Sequence, residues 1–198
     1  MLANATIVDV LRPCTKRYAV LYDIFLIISG SLLITLCTQV KILLPFSPVP
    51  ITGQTFAVFM LGALLGSRRG GLSVLLYIAE GAAGLPVFAL GGGLPILFGP
   101  TGGYLFGFIP AAFIVGLLAE RGWDRKVSKT ILAMILGNIV LYTFGLLWLS
   151  RWVGINRVFI TGLYPFIIGE ILKLVLAAAI LPTGWKLLPG SKIKNTAD

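Results

Sequence analysis

No histidine occurs anywhere in the chain. That absence removes a Ser-His nucleophile, a His-ligated zinc and the His-Glu-x-x-His metalloprotease from consideration. Acids are scarce as well, seven Asp and Glu against sixteen Lys and Arg. Charged residues make up 12% of the chain, about half the ~25% of a soluble domain, so water is not its main solvent. The two cysteines, Cys14 and Cys37, are too few for a disulfide framework. Nowhere is there a Gly-x-x-x-x-Gly-Lys-Ser/Thr run, so ATP cannot be cradled by that route. Gly91-Gly92-Gly93 is not followed by Lys and follows no predicted strand, so it is no nucleotide fingerprint either. The net charge of +9 does not point to nucleic acid, because the cations form short clusters between apolar runs rather than a basic face.

What the chain does have is apolar runs from end to end, with 58% hydrophobic residues. They leave no room for a soluble domain and predict a single membrane domain over 1–198. Six helices are expected, at roughly 21–44, 55–66, 71–84, 103–119, 130–150 and 164–187, with a long outer loop at 84–103. Arg12, Lys16 and Arg17 precede the first run, which continues to Leu44 without a small-residue cleavage site. It reads as a first span, not a removed signal. Stretches two and three are shorter than the ~20 residues that cross a bilayer, and a re-entrant hairpin is the rival reading. That hairpin would put Arg68 and Arg69 near the bilayer centre, at about 2.5–3.5 kcal/mol or more each, which favours two crossings.

The cations set the orientation. Twelve of the sixteen Lys and Arg fall in segments 12–17, 68–69, 121–129 and 186–194, whereas the alternate segments carry only Arg151 and Arg157. Lys41 and Lys173 are expected within helices. This split follows the positive-inside rule and places both termini in the cytoplasm. The expected fold is therefore an all-α integral membrane protein, six transmembrane helices in a bundle surrounded by lipid.

The outer segments are then 45–55, 84–103 and 151–163. The stretch Pro48-Val49-Pro50-Ile51-Thr52-Gly53-Gln54-Thr55 is stiff, polar and uncharged. The stretch from Gly84 to Tyr104 is apolar, glycine-rich and uncharged, and a loop of that length and composition suits a lid or pocket wall. Two acids lie inside predicted helices, Glu80 and Glu170. Lys173, three residues after Glu170, shares its face. Ionisable groups at membrane depth are costly and mark function by default. The pair is either a structural ion pair or a ligand-binding carboxylate and ammonium. Glu80 either joins the site or pairs and snorkels to the interface, and Lys41 is expected to snorkel too. Asn138 is expected to make an interhelical hydrogen bond. Small-residue pairs at Gly62 and Gly66, Gly103 and Gly107, and Ser31 and Thr35 permit close helix approach.

Taken together, Pro48-Val49-Pro50-Ile51-Thr52-Gly53-Gln54-Thr55, Leu65-Gly66-Ser67-Arg68-Arg69-Gly70, Tyr77, Gly84-Leu85-Pro86-Val87-Phe88, Gly99-Pro100-Thr101-Gly102-Gly103-Tyr104 and Pro165-Phe166-Ile167-Ile168-Gly169-Glu170-Ile171-Leu172-Lys173 resemble the BioY family, the biotin-binding S components of energy-coupling-factor (ECF) transporters. The resemblance covers about 40–180. It implies a non-enzymatic, multi-pass protein of the bacterial cell membrane that captures biotin from outside. It also implies partners, a transmembrane T component and a pair of ABC-type ATPases, with biotin as cargo and no cofactor. Two positions depart from the family's pattern. Glu170 stands where the family more usually has Asp, and Ser29-Gly30-Ser31-Leu32-Leu33-Ile34-Thr35 stands where its first helix often has Ala-x-x-x-Ala.

The site residues expected for biotin are Thr52, Gln54, Glu80, Phe88, Gly91, Gly92, Gly93, Tyr104, Glu170 and Lys173. Glu170 would accept from the ureido N–H groups, and Lys173 would donate to the ureido carbonyl or the tail carboxylate. Thr52, Gln54 and the backbone of Gly91 to Gly93 would complete the polar shell, with Phe88 and Tyr104 as apolar walls. Two other readings remain at this stage: a standalone facilitator for biotin or another small acid, and a membrane enzyme using Glu80 and Glu170 as paired acids.

Overall fold

A computed structural model describes residues 5–187. Among these residues the fold is helical apart from one two-stranded ribbon. Helix α1 spans Lys16–Thr38, α2 Gln54–Ala82, α4 Gly102–Glu120, α5 Val127–Val153 and α7 Ile167–Leu187. Two short helices, α3 (Leu94–Leu97) and α6 (Val158–Gly162), sit in connections, and β1 (Lys41–Ile42) pairs antiparallel with β2 (Ile51–Thr52). Five helices, the last counted from Val158 to Leu187, are long and apolar enough to cross a membrane.

The first helix ends earlier than its apolar run. Residues 39–44 keep the composition of a span, but Lys41 and Ile42 register against Thr52 and Ile51 as a ribbon. Lys41 therefore lies beyond the helix rather than within it. The buried residues of α1 are Ala19, Gly30, Ser31, Ile34 and Thr38. The last four recur at helical spacing and form the one stripe that meets α2; most of the remaining surface is exposed and apolar.

Helix α2 is the centre of the bundle and packs on both α1 and α4. It is broken at Gly66, whose φ of 86° and ψ of 174° stop the helix and are open to glycine alone at no steric cost. The two limbs fold back on each other so closely that a Cβ on Gly70 would lie 2.9 Å from Gly62 Cα. The second limb starts at Ser67, not after a loop reaching residue 71 as the sequence suggested. The Glu120 carboxylate, at the end of α4, takes the Ser67 N–H at 2.7 Å and the Ser67 hydroxyl at 2.8 Å. This is an N-cap supplied from another helix, with its negative charge at the positive end of the limb. The fold-back thus lies level with the end of α4. Arg68 and Arg69 sit at one end of the bundle, not at its middle.

That end collects most of the charge. Arg69 bonds Asp9 at 2.7 Å and Asp23 at 2.8 Å, and Arg12 also reaches Asp23. Asp9 in turn takes the backbone N–H and hydroxyl of Thr6, fastening the N-terminal turn Ile7–Leu11 beneath α1 and α2. In the turn after α4, Asp124 accepts from Trp185 Nε1, and the Arg125 guanidinium lies 4.3 Å from the Trp185 ring centroid. Burial pushes the Asp124 carboxyl up to about 6.

Candidate binding site

The opposite end of the bundle is held by hydrogen bonds with a single ion pair, between Lys173 and Glu170, among the described residues. Tyr77, fully buried on the second limb of α2, is their hub. Its hydroxyl donates to Val87 O at 3.1 Å, accepts from Gln54 Nε2, and lies 3.3 Å from Thr38 Oγ1 at the end of α1. The next residue, Phe88, packs edge-on against the Tyr77 ring with centroids 5.4 Å apart. Phe88 and Gly91 exchange backbone hydrogen bonds at 2.8 and 3.0 Å, which folds the long loop into a tight turn over the helix ends.

Beneath this cover lies a cavity with about 590 Å³ of space free of protein atoms, part of it open to solvent. Its cover is Val49, Pro50 and Thr52 from the ribbon and Phe88, Ala89, Leu90 and Ile96 from the long loop. Its walls are Gln54 and Thr55 on α2, Tyr104, Leu105 and Phe108 on α4, Leu141 and Tyr142 on α5, and Phe166 ahead of α7. Thr101 borders it just before α4, and Glu170 and Lys173 close it from α7. Tyr104 is fixed by donating to Gly162 O at 2.7 Å and stands edge-on to Tyr142. The wall is mostly apolar, with polar groups grouped at one place.

That place is the acid–amine pair. Glu170 is buried, and Lys173 Nζ donates to Glu170 Oε1, Thr55 Oγ1 and Thr52 O, each at 2.7 Å. Thr55 Oγ1 donates to the same Glu170 oxygen at 2.8 Å. The pair is clasped, and a hollow lies directly beside it. A second hollow of about 200 Å³ adjoins the pair further along α7, bordered by Phe56, Phe59, Met134, Asn138, Leu174 and Ala177.

Of the residues expected from sequence, Thr52, Gln54, Phe88, Tyr104, Glu170 and Lys173 border the larger cavity. Glu80 does not. It accepts a hydrogen bond from Ser31 and joins α2 to α1. Gly91, Gly92 and Gly93 do not border it either. Gly91 and Gly93 have φ of 123° and 96°, and a Cβ on Gly92 would lie 2.1 Å from Leu85 O; these glycines shape the loop. Asn138 makes no interhelical bond among the described residues. Its amide donates to Met134 O one turn back in its own helix, and its side-chain oxygen is buried without a partner there. Sequence reasoning left Thr55, Thr101, Tyr142 and Phe166 out of the site. Thr55 was accessible from its place beside Gln54, whereas Tyr142 depends on the rotation of α5, which an apolar helix in lipid does not reveal.

The family model described as "BioY family" matches residues 11–190. A probable biotin transporter BioY from Pyrococcus horikoshii is 43% identical over 141 residues, covering 71% of this chain and 83% of that protein. The biotin transporter BioY of Rhizobium etli is 40% identical over 173 residues, 81% of this chain and 92% of that protein. A crystal structure of the S-component for biotin from an ECF-type ABC transporter superposes with a TM-score of 0.74 at 27% identity, covering 88% of this chain and 95% of that one. The cavity walled by the ribbon, the glycine-rich loop and α7 therefore sits in a chain that belongs to the BioY family.

Proposed function

We propose that this chain is the biotin-capturing membrane subunit of an ECF-type importer, working without catalysis. The observation that carries the reading is the Glu170–Lys173 pair set in an otherwise apolar cavity at the end of the bundle away from the cation clusters. The ureido ring of biotin offers two N–H donors and a carbonyl. Glu170 uses one carboxylate oxygen on Lys173 and Thr55, which leaves the other for the ring N–H groups. Hydrogen bonds to a charged acceptor are roughly twice as strong as neutral ones. Phe88, Tyr104, Tyr142 and Phe166 wall the thioether ring and alkyl chain.

In this reading the two limbs of α2 cross the membrane separately, giving six spans with both termini in the cytoplasm. The charged end carrying Arg12, Arg68, Arg69, Arg121, Lys126 and Lys129 then faces inward, as cation-rich segments do. The cavity faces outward, where the vitamin is. Energy comes from partners, a T component and ATPases, because the chain has no nucleotide-binding run of its own. Ile34, Val58, Val74, Val115 and Leu181 fill the interior at or near zero exposure, so passage inward needs a rearrangement of the whole subunit.

The test is purification of the full chain in detergent from biotin-fed cells. Biotin retained at near one equivalent, and displaced by added biotin, is the expected result. An empty protein that gives no heat on titration with biotin rejects the reading.

A further inference from the structure

Lys173 has no hydrogen to spare for a ligand's carboxylate. An ammonium carries three donors, and here Thr52 O, Thr55 Oγ1 and Glu170 Oε1 take all three. Giving one up would leave a half-buried acceptor on Thr52 or Thr55, or the buried Glu170 carboxylate, with one donor fewer. An acid bound in this cavity needs a second cation for its anionic end.

Lys41 is placed to be that cation. It registers opposite Thr52 in the ribbon, and its Nζ donates at 2.7 Å to the carbonyl of Ala89, a residue that borders the cavity. Lys41 does not itself border the cavity; its ammonium is held on the exposed side of the cover, against a residue that does. Among the described residues its one protein partner is that carbonyl, and no carboxylate lies within ion-pair reach. The segments at this end of the bundle, 39–53, 83–101 and 154–166, contain no Asp or Glu at all. A cation with two hydrogens unclaimed by protein, on an acid-free rim, is matched to an incoming anion.

We propose that Lys41 receives the carboxylate of the bound acid at the mouth of the cavity, while the unengaged oxygen of Glu170 holds the ring at its inner end. This rests on the biotin reading above and adds to it an orientation, ring inward and tail outward. It also assigns the preference for an acid over a neutral analogue to one side chain outside the helices.

The experiment is titration of the purified full chain with biotin and with biotinamide, whose tail is neutral. The unaltered chain is expected to prefer the acid. Lys41→Gln removes the charge but keeps an N–H donor for Ala89 O, so the cover stays tied. It is expected to weaken biotin by roughly ten-fold or more, leave biotinamide unchanged and abolish the preference; Lys41→Arg should retain it. Equal weakening of both ligands, or a preference for the acid that survives Lys41→Gln, overturns the proposal. Failure of the unaltered chain to bind either compound overturns the biotin reading itself and takes the proposal with it.

Discussion

The two ends of the bundle are built from opposite materials. At one end Arg12, Arg69, Asp9 and Asp23 interlock, Glu120 caps the second limb of α2, and Asp124 is buried against Trp185. At the other, the cover rests on the Tyr77 hydroxyl, a two-residue ribbon and backbone turns at glycine. Ion pairs that share partners resist deformation, whereas single neutral hydrogen bonds contribute about 0.5–1.5 kcal/mol each. The ion-paired end is thus a clamp on the helices, and the other end is a cover tied down by separate hydrogen bonds, two of them from the ammonium groups of Lys41 and Lys173. Stability and binding should separate along the same line.

The largest effect is expected in binding. Lys173→Ala leaves Glu170 without its cation and removes a member of the site, and biotin affinity should fall by about 2–5 kcal/mol, read by titration. At the other end, Arg69→Leu leaves Asp9 without a cation and Asp23 with Arg12 alone. It should lower unfolding free energy by about 1–3 kcal/mol, less than for a fully buried pair because these side chains are partly exposed. Thermal denaturation should show the loss while biotin affinity stays within two-fold or so. A large change in affinity from Arg69→Leu would break the division between the ends.

Asp124 sharpens the comparison through pH. Burial raises its folded value from 3.8 to about 6, so the ionised carboxylate is held less well in the fold than in the unfolded chain. Its burden is absent below about pH 4 and complete above about pH 6. Asp124→Asn keeps an acceptor for Trp185 and should stabilise the protein at pH 7.5 by on the order of 1 kcal/mol. The gain should vanish at pH 4, a contrast visible in melting curves at the two pH values. The smallest effect belongs to Tyr77→Phe. It deprives Val87 O and Gln54 of one partner, and should cost about 1 kcal/mol of biotin affinity through faster release, with little change in melting.

Much of this organisation was legible because lipid imposes simple rules. Apolar runs located the helices, and clustered cations separated the ends. The cost of a buried acid and amine singled out Glu170 and Lys173. The errors have physical causes too. Residues 39–44 are as apolar as a span but follow a helix that has already ended, and hydropathy does not distinguish a covering ribbon from a last helical turn. The run Gly66 to Gly71 has the composition of a loop, yet only Gly66 leaves helical geometry, because Glu120 restarts the helix at Ser67. Glu80 lies inside a helix as Glu170 does, but it is only half-buried, and its partner, Ser31, comes from a distant helix that no spacing rule connects to it. Gly91 to Gly93 marked the covering loop correctly as special, while the residues that border the cavity are their neighbours Phe88, Ala89, Leu90 and Ile96.

The hydroxyl of Tyr77 touches both Val87 in the covering loop and Thr38 in the last turn of α1. Since α1 meets the rest of the bundle along a single stripe, this contact, the Ser31–Glu80 bond and the packing of Cys37 against Gly53 hold its last turns. That oxygen belongs to a side chain fixed inside α2, so lifting the loop would strip it of its acceptor, Val87 O, and leave Thr38 the nearest group able to take its hydrogen.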